Sequence, residues 1–149
     1  MILIANNKKA NFLYNIMEKL EAGIVLNGEE VKSLRNGKAS INEAYAETDK
    51  GELWLINSDI SIYKDSSRFL KNDPKRARKL LIHRKEINRL QGKVEREGLT
   101  IIPLRLYFNK RGFVKLEIAI ARGKKLFDKR EDKKKRDWNR KKQRLLKNY

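Results

Sequence analysis

The sequence contains no cysteine and a single histidine, His83. Without cysteine there is neither a disulfide framework nor a thiolate metal site, a composition suited to a reducing compartment. One histidine cannot supply the closely spaced ligands that a zinc ion needs. It sits in the basic stretch Ile82-His83-Arg84-Lys85, which reads as a surface or helix-junction position rather than the base of a nucleophilic pair. No Gly-rich phosphate cradle followed by Lys-Ser or Lys-Thr occurs, so nucleotide hydrolysis has no support. The acidic residues Glu21, Glu29, Glu30, Glu43, Asp49, Glu52 and Asp59 are scattered. They read as caps and solvated faces rather than the clustered carboxylates of a Mg²⁺-dependent nuclease. No cofactor and no catalytic activity are expected.

Long apolar runs are missing too. The longest, Ile101-Ile102 with Leu104 and Ile118-Ala119-Ile120-Ala121, fall far short of the roughly 20 residues that span a bilayer. Met1-Ile2-Leu3-Ile4-Ala5 meets Lys8 too soon for a signal peptide. Neither a broad apolar helical face nor a lipidation signal is evident. A cytoplasmic protein that is monomeric when free is expected.

What the sequence has in excess is positive charge. Across 149 residues, 37 Lys and Arg oppose 19 Asp and Glu, a formal net charge of +18. Such self-repulsion is relieved by a polyanion, and nucleic acid is the obvious one. The charge is uneven: residues 123–149 hold 13 Lys and Arg against 4 Asp and Glu, net +9, leaving 24 against 15, also +9, for residues 1–122. In the last segment only Leu126, Phe127, Trp138, Leu145, Leu146 and Tyr149 are apolar or aromatic, too few to build a core. The chain therefore reads as one domain, 1–122, with a basic tail, 123–149.

Within the domain, residues 12–17 read as a first strand, and residues 22–26 carry extended character into a turn at Asn27-Gly28. A short helix follows over 28–36, with Asn27 as cap, Glu30 at the third helical position and Gly37 as stop. Residues 41–48 and 52–56 flank Asp49-Lys50-Gly51 as a hairpin, and 60–63 form a further strand. Asp73-Pro74 reads as a helix entry. Two helices are expected between Pro74 and Glu97, the second lined by Ile87, Leu90, Gln91 and Val94 and stopped by Gly98. Residues 99–108 and 113–121 then form a hairpin around 109–112, with Leu104, Leu106 and Phe108 opposed to Arg105 and Tyr107. Trp54 and Tyr107 read as barrel wall rather than base-stacking platforms. The absence of βαβ alternation points to a mainly β fold with helices, an antiparallel sheet curled into a partly open barrel of the OB type.

Several segments occur in a recognisable order: Asn7-Lys8-Lys9-Ala10 ahead of Tyr14, Glu21-Ala22-Gly23-Ile24, and Glu30-Val31-Lys32-Ser33-Leu34-Arg35 with Gly37-Lys38. Arg76-Ala77-Arg78-Lys79-Leu80-Leu81, Gly123-Lys124-Lys125 and Asp128-Lys129-Arg130 follow. The set resembles the small protein B family, the SsrA-binding proteins of bacterial trans-translation. The resemblance implies an OB-like barrel with about three helices and a tail disordered when free. It also implies binding to the tRNA-like domain of transfer-messenger RNA and delivery of that RNA to stalled ribosomes. The implied partners are that RNA, the decoding centre of the small ribosomal subunit, and, through the RNA complex, the elongation factor that delivers aminoacyl-tRNA.

The resemblance puts Asn7 and Glu21 on the RNA-binding face. An ionised Glu21 can only accept hydrogen bonds, whereas Asn7 can donate and accept. Lys8 belongs to the same motif. Lys32 and Arg35, three apart on one helix, suit phosphates. Leu81 matches a family position needed for RNA binding, though packing explains a leucine equally well, and Lys115 is a basic strand residue in a matching segment. The resemblance places Gly123, Lys124, Lys125, Asp128, Lys129 and Arg130 at the decoding centre. The segment bearing Trp138, Leu145 and Leu146 then lies helical in the empty messenger path. Trp138, Lys142, Leu145 and Tyr149 recur every three or four residues and would share one helical stripe. Phe12 and Phe127 stand where the family often has histidine, so an imidazole hydrogen bond is impossible at either position.

Overall fold

The computed structural model describes residues 1–61 and 73–147, the side chains of 126–128 and 147 excepted. Positions 62 and 63 of the expected fourth strand, and Tyr149 of the tail stripe, lie outside the described residues. The elements are, in order, β1 (Ile2–Asn6), α1 (Ala10–Leu13), β2 (Tyr14–Ile24), α2 (Gly28–Arg35), β3 (Ala39–Ser40), β4 (Tyr45–Asp49), β5 (Glu52–Ile56), β6 (Asp59–Ile60), β7 (Arg78–Leu81), α3 (Arg84–Glu97), β8 (Thr100–Phe108), β9 (Val114–Gly123) and α4 (Leu126–Lys147).

The larger sheet runs β1-β8-β4-β5-β7-β2-β9, and β9 pairs back onto β8 to close the ring. All its pairings are antiparallel. One edge of β8 is shared: Ile101 meets Ala46 of β4, while Arg105 to Phe108 pair with β1. This is the OB-like barrel expected from the pattern of strands. Leu34, Leu53, Leu80, Leu106, Leu116 and Ile118 are among the residues that fill it. Strand β2 alternates exposed and half-buried residues along most of its length, as a strand with one solvated face should. Strands β8 and β9 are buried more continuously because α1 covers part of their outer face. Ala10 packs there on Ile102, Leu104, Ala119 and Ala121 in a second apolar cluster.

Helix α2 forms as its caps dictate. The Asn27 side chain accepts from the Glu30 backbone at 2.9 Å, and Glu30 accepts in return from the Asn27 backbone at 3.0 Å. Gly37 takes the left-handed conformation, φ 69°, that a β-carbon disfavours. Helix α3 buries Ile87 and Leu90 and ends at left-handed Gly98. It is tied to the barrel by Arg89, whose two terminal nitrogens reach Glu18 of β2 at 2.8 and 2.6 Å.

Four expectations need correction. The first strand is β1, and residues 12 and 13, expected to begin a strand over 12–17, belong instead to α1, so that strand starts only at Tyr14. Residues 41–44 form a turn, so the strand expected over 41–48 begins only at Tyr45. Asp73 caps a turn, accepting from Lys75 N at 2.9 Å, and the chain then extends into β7 rather than a helix. The cause is Arg78, fully buried, whose guanidinium donates to Glu30 at 2.6 Å, to the Ser58 hydroxyl at 2.8 Å and to the Pro74 carbonyl at 3.0 Å. Last, a bulge between Pro103 and Arg105 turns Leu104 outward to Ala10, away from Leu106 and Phe108.

Candidate RNA-binding interface

Directly paired residues in an antiparallel ladder point to the same side of the sheet, so the registers define rows on the barrel's outer face. One row reads Leu3, Tyr107, Lys115, Gly23, Leu81 across β1, β8, β9, β2 and β7. The next reads Asn6, Arg105, Glu117, Glu21. Three residues predicted from the sequence, Glu21, Leu81 and Lys115, thus come together from positions 21, 81 and 115. They line a hollow of about 450 Å³ with Gly23, Ile82 and His83. Gly23 makes the hollow possible: a β-carbon there would lie 3.2 Å from Leu81 Cβ. Leu81 is 52% exposed, an apolar side chain offered to solvent amid polar neighbours.

A second hollow adjoins the first, of about 460 Å³, lined by Asn7, Lys8, Asn11, Lys19, Arg105 and Glu117 among others. Asn7 and Lys8 therefore share the face with Glu21. Asn7 also holds the chain in place. Its side chain donates to the Pro103 carbonyl at 2.8 Å and accepts from Lys9 N at 3.2 Å. One amide hydrogen and one lone pair are left for a ligand.

The polar groups of this face are ordered by one another. Arg105 grips Glu117 in a fork, at 3.2 and 2.9 Å, and its guanidinium carbon stands 5.8 Å from the Tyr107 ring centre. The Glu117 hydrogen bond holds the Arg105 pKa above its ordinary value. Tyr107 donates its hydroxyl to Glu21 Oε2. Burial, then the Glu21 carboxylate, push the Tyr107 pKa up to about 12, so it stays a donor at any physiological pH. Tyr107 is 6% exposed; it is barrel wall, as its sequence context suggested, and not a stacking platform.

Lys32 and Arg35 lie elsewhere, on α2. Lys32 stands 3.9 Å from Glu29. Arg35 lines a groove at the barrel end with Ile2, Phe108, Asn109, Lys110 and Gly112. Sequence reasoning missed Gly23, Arg105, Glu117 and Lys19 as parts of the face. The alternation of Arg105 and Tyr107 along β8 was the available signal, but only the register brings them beside Glu21.

Strand β9 ends at Gly123, and α4 leaves from there. Lys124 is held: its ammonium donates to the Asn11 carbonyl at 2.6 Å and pairs with Asp132, and its backbone N–H donates to Leu13 O at 2.9 Å. Arg136 stands over the Phe12 ring at 4.8 Å. These contacts dock the start of α4 on α1. Lys125 and Arg130 are exposed and Lys129 half-buried, while the side chain of Asp128 is not among those described. Trp138, Leu145 and Leu146 are exposed, and Lys142 stands 5.3 Å from the Trp138 ring centre, one turn along the same helical stripe. Among the described residues no three His, Cys, Asp or Glu side chains group to hold a metal ion, and no helix is long and apolar enough to cross a membrane.

A closed OB-like barrel with a polar, partly hollow sheet face and a strongly basic helix running off one end is the build of a nucleic-acid-binding protein. The chain belongs to the SmpB protein family, whose model matches residues 4–148. An SsrA-binding protein of Nitrobacter winogradskyi is 60% identical over 144 residues, covering 97% of this chain and 91% of its own length. That of Bradyrhizobium diazoefficiens is 58% identical over the same shares. A solved chain described as "tmRNA-SmpB: a journey to the center of the bacterial ribosome" matches with a TM-score of 0.67 at 49% identity, covering 81% of this chain and 84% of that one.

Proposed function

We propose that this chain is a non-catalytic RNA-binding protein that holds the tRNA-like domain of transfer-messenger RNA on its outer sheet face and carries it to stalled ribosomes for trans-translation. The observation that supports this most is the convergence of Glu21, Leu81 and Lys115 around Gly23. Structured RNA is read through phosphates, 2′-hydroxyls and the edges of unstacked bases, and the face offers a group for each. Glu21 has no hydrogen-bond partner but Tyr107 among the described residues, so its second oxygen is open to a 2′-hydroxyl or base N–H. Lys115 and Lys8 suit phosphates, and exposed Leu81 suits the apolar face of a splayed base or sugar. Arg35 and Lys110, which line the separate groove at the barrel end, offer further phosphate contacts.

The tail does a different task. Beyond Arg136 the helix has no described tether to the barrel, and its residues repel one another. In the free protein its outer turns open, and they order again where ribosomal RNA neutralises the charge and the Trp138, Leu145 and Leu146 side chains find something to pack against. Residues 123–130 then sit at the decoding centre and the helix occupies the messenger path, so absence of mRNA is sensed by occupancy. The elongation factor that delivers aminoacyl-tRNA joins through the RNA complex. Competition binding at physiological salt tests the RNA assignment: the tRNA-like RNA should displace generic structured RNA of equal length, and equal displacement by both would remove it.

A further inference from the structure

Glu21 faces an electrostatic difficulty. Its direct cross-strand partner is Glu117, and like charges placed opposite one another in a sheet repel. A carboxylate in that position, exposed and anchored only by its own flexible stem, would swing away from its neighbour or spread over several rotamers. Two features prevent this. Arg105 takes both oxygens of Glu117, which removes most of the repulsion. Tyr107 then reaches over β9 to the carboxylate itself: β8 and β2 flank β9, so they lie roughly 9.5 Å apart, and only a long side chain from each can meet in between. The Tyr107 hydroxyl donates to Glu21 Oε2, while its buried ring, beside Arg105, cannot follow a wandering partner.

We infer that Tyr107 is a positioning residue of the RNA face, a rigid donor that fixes one Glu21 oxygen so that the other is presented to the RNA. The inference rests on the RNA-binding reading of this face. Tyr107 itself meets no ligand; it acts through Glu21. An ordered carboxylate gives up little rotamer freedom when the RNA arrives, and that saving is what Tyr107 adds to affinity.

The experiment is a double-mutant cycle on affinity for the isolated tRNA-like RNA, with wild type, Tyr107→Phe, Glu21→Ala and the double variant, each first shown by thermal melting to be folded. Tyr107→Phe keeps the ring and loses only the hydroxyl. It should weaken binding by about three- to tenfold, the range set by the cost of immobilising one rotamer-rich side chain. In the Glu21→Ala background the same change should have no further effect. If Glu21→Ala binds as wild type does, the RNA-binding reading of the face fails. If Glu21→Ala binds weakly but Tyr107→Phe does not, or if the two losses simply multiply, the positioning role fails and the reading of the face stands.

Discussion

Replacing Glu30 by glutamine removes the counter-charge of a guanidinium that solvent does not reach. Arg78 is 0% exposed, and its nitrogens are spent on Glu30 Oε2 at 2.6 Å, Ser58 Oγ at 2.8 Å, the Ser58 carbonyl at 3.1 Å and the Pro74 carbonyl at 3.0 Å. Glu30 also receives Arg76 and the Asn27 backbone, so the Glu30–Arg78 pair joins α2, the segment before β6, and β7. Breaking a buried pair from one side costs roughly 3–5 kcal/mol, a large part of the roughly 5–15 kcal/mol that holds an ordinary domain. Urea unfolding should show that loss as a lower midpoint at unchanged slope. Glu30→Gln with Arg78→Met should lose less than Glu30→Gln alone, because no unpaired ion is left inside. Burial pushes the Glu30 pKa up, but Arg76, the Asn27 N–H and Arg78 outweigh it, so the folded pKa lies below the ordinary value. The stabilisation is therefore complete above the unfolded carboxylate pKa of about 4.3 and is lost as pH falls through the lower folded value. Glu30→Gln should flatten that acid limb. A loss under about 1 kcal/mol, well below the buried-pair range, with an unaltered acid limb would refute the role given to this network.

Two further outcomes follow from the geometry. Gly23→Val places side-chain atoms against Leu81, whose Cβ lies 3.2 Å from a β-carbon at that position; it should fill the hollow and weaken RNA binding by about tenfold or more, ~1.4 kcal/mol, in a protein that still melts cooperatively. Phe12→Ala removes the ring beneath Arg136, worth about 0.5–1 kcal/mol at an exposed site; amide exchange should quicken at residues 132–136 while affinity for the isolated RNA is unchanged.

Local signals carried local structure. Asn27, Glu30 and Gly37 marked both ends of α2, and Gly51 with Lys50, both at positive φ, made the tight turn that Asp49-Lys50-Gly51 announced. Asp73-Pro74 failed for the opposite reason. Its propensity is for a helical start, but Arg78 gains more from Glu30 and Ser58 than a helix could return, and these partners are 48 and 20 residues away. The same limit applies to the face. Glu21, Leu81 and Lys115 could be named through the family resemblance, yet what makes them one site is a register joining Gly23 to both Leu81 and Lys115. No spacing in the sequence encodes that. Gly23 itself was passed over because a glycine in a strand announces close approach without saying of what. Arg105 and Glu117 read as ordinary solvated strand residues until pairing set them side by side.

The division of labour between barrel and tail is the central claim, and a tagging assay on ribosomes stalled on truncated mRNA measures it directly. Full-length protein should support tagging. Protein ending at Arg130 should bind the tRNA-like RNA with nearly full affinity and yet support none, because the sheet face is intact and the helix proposed to fill the messenger path is gone. Tagging by the shortened protein, or loss of RNA binding together with tagging, would contradict the account.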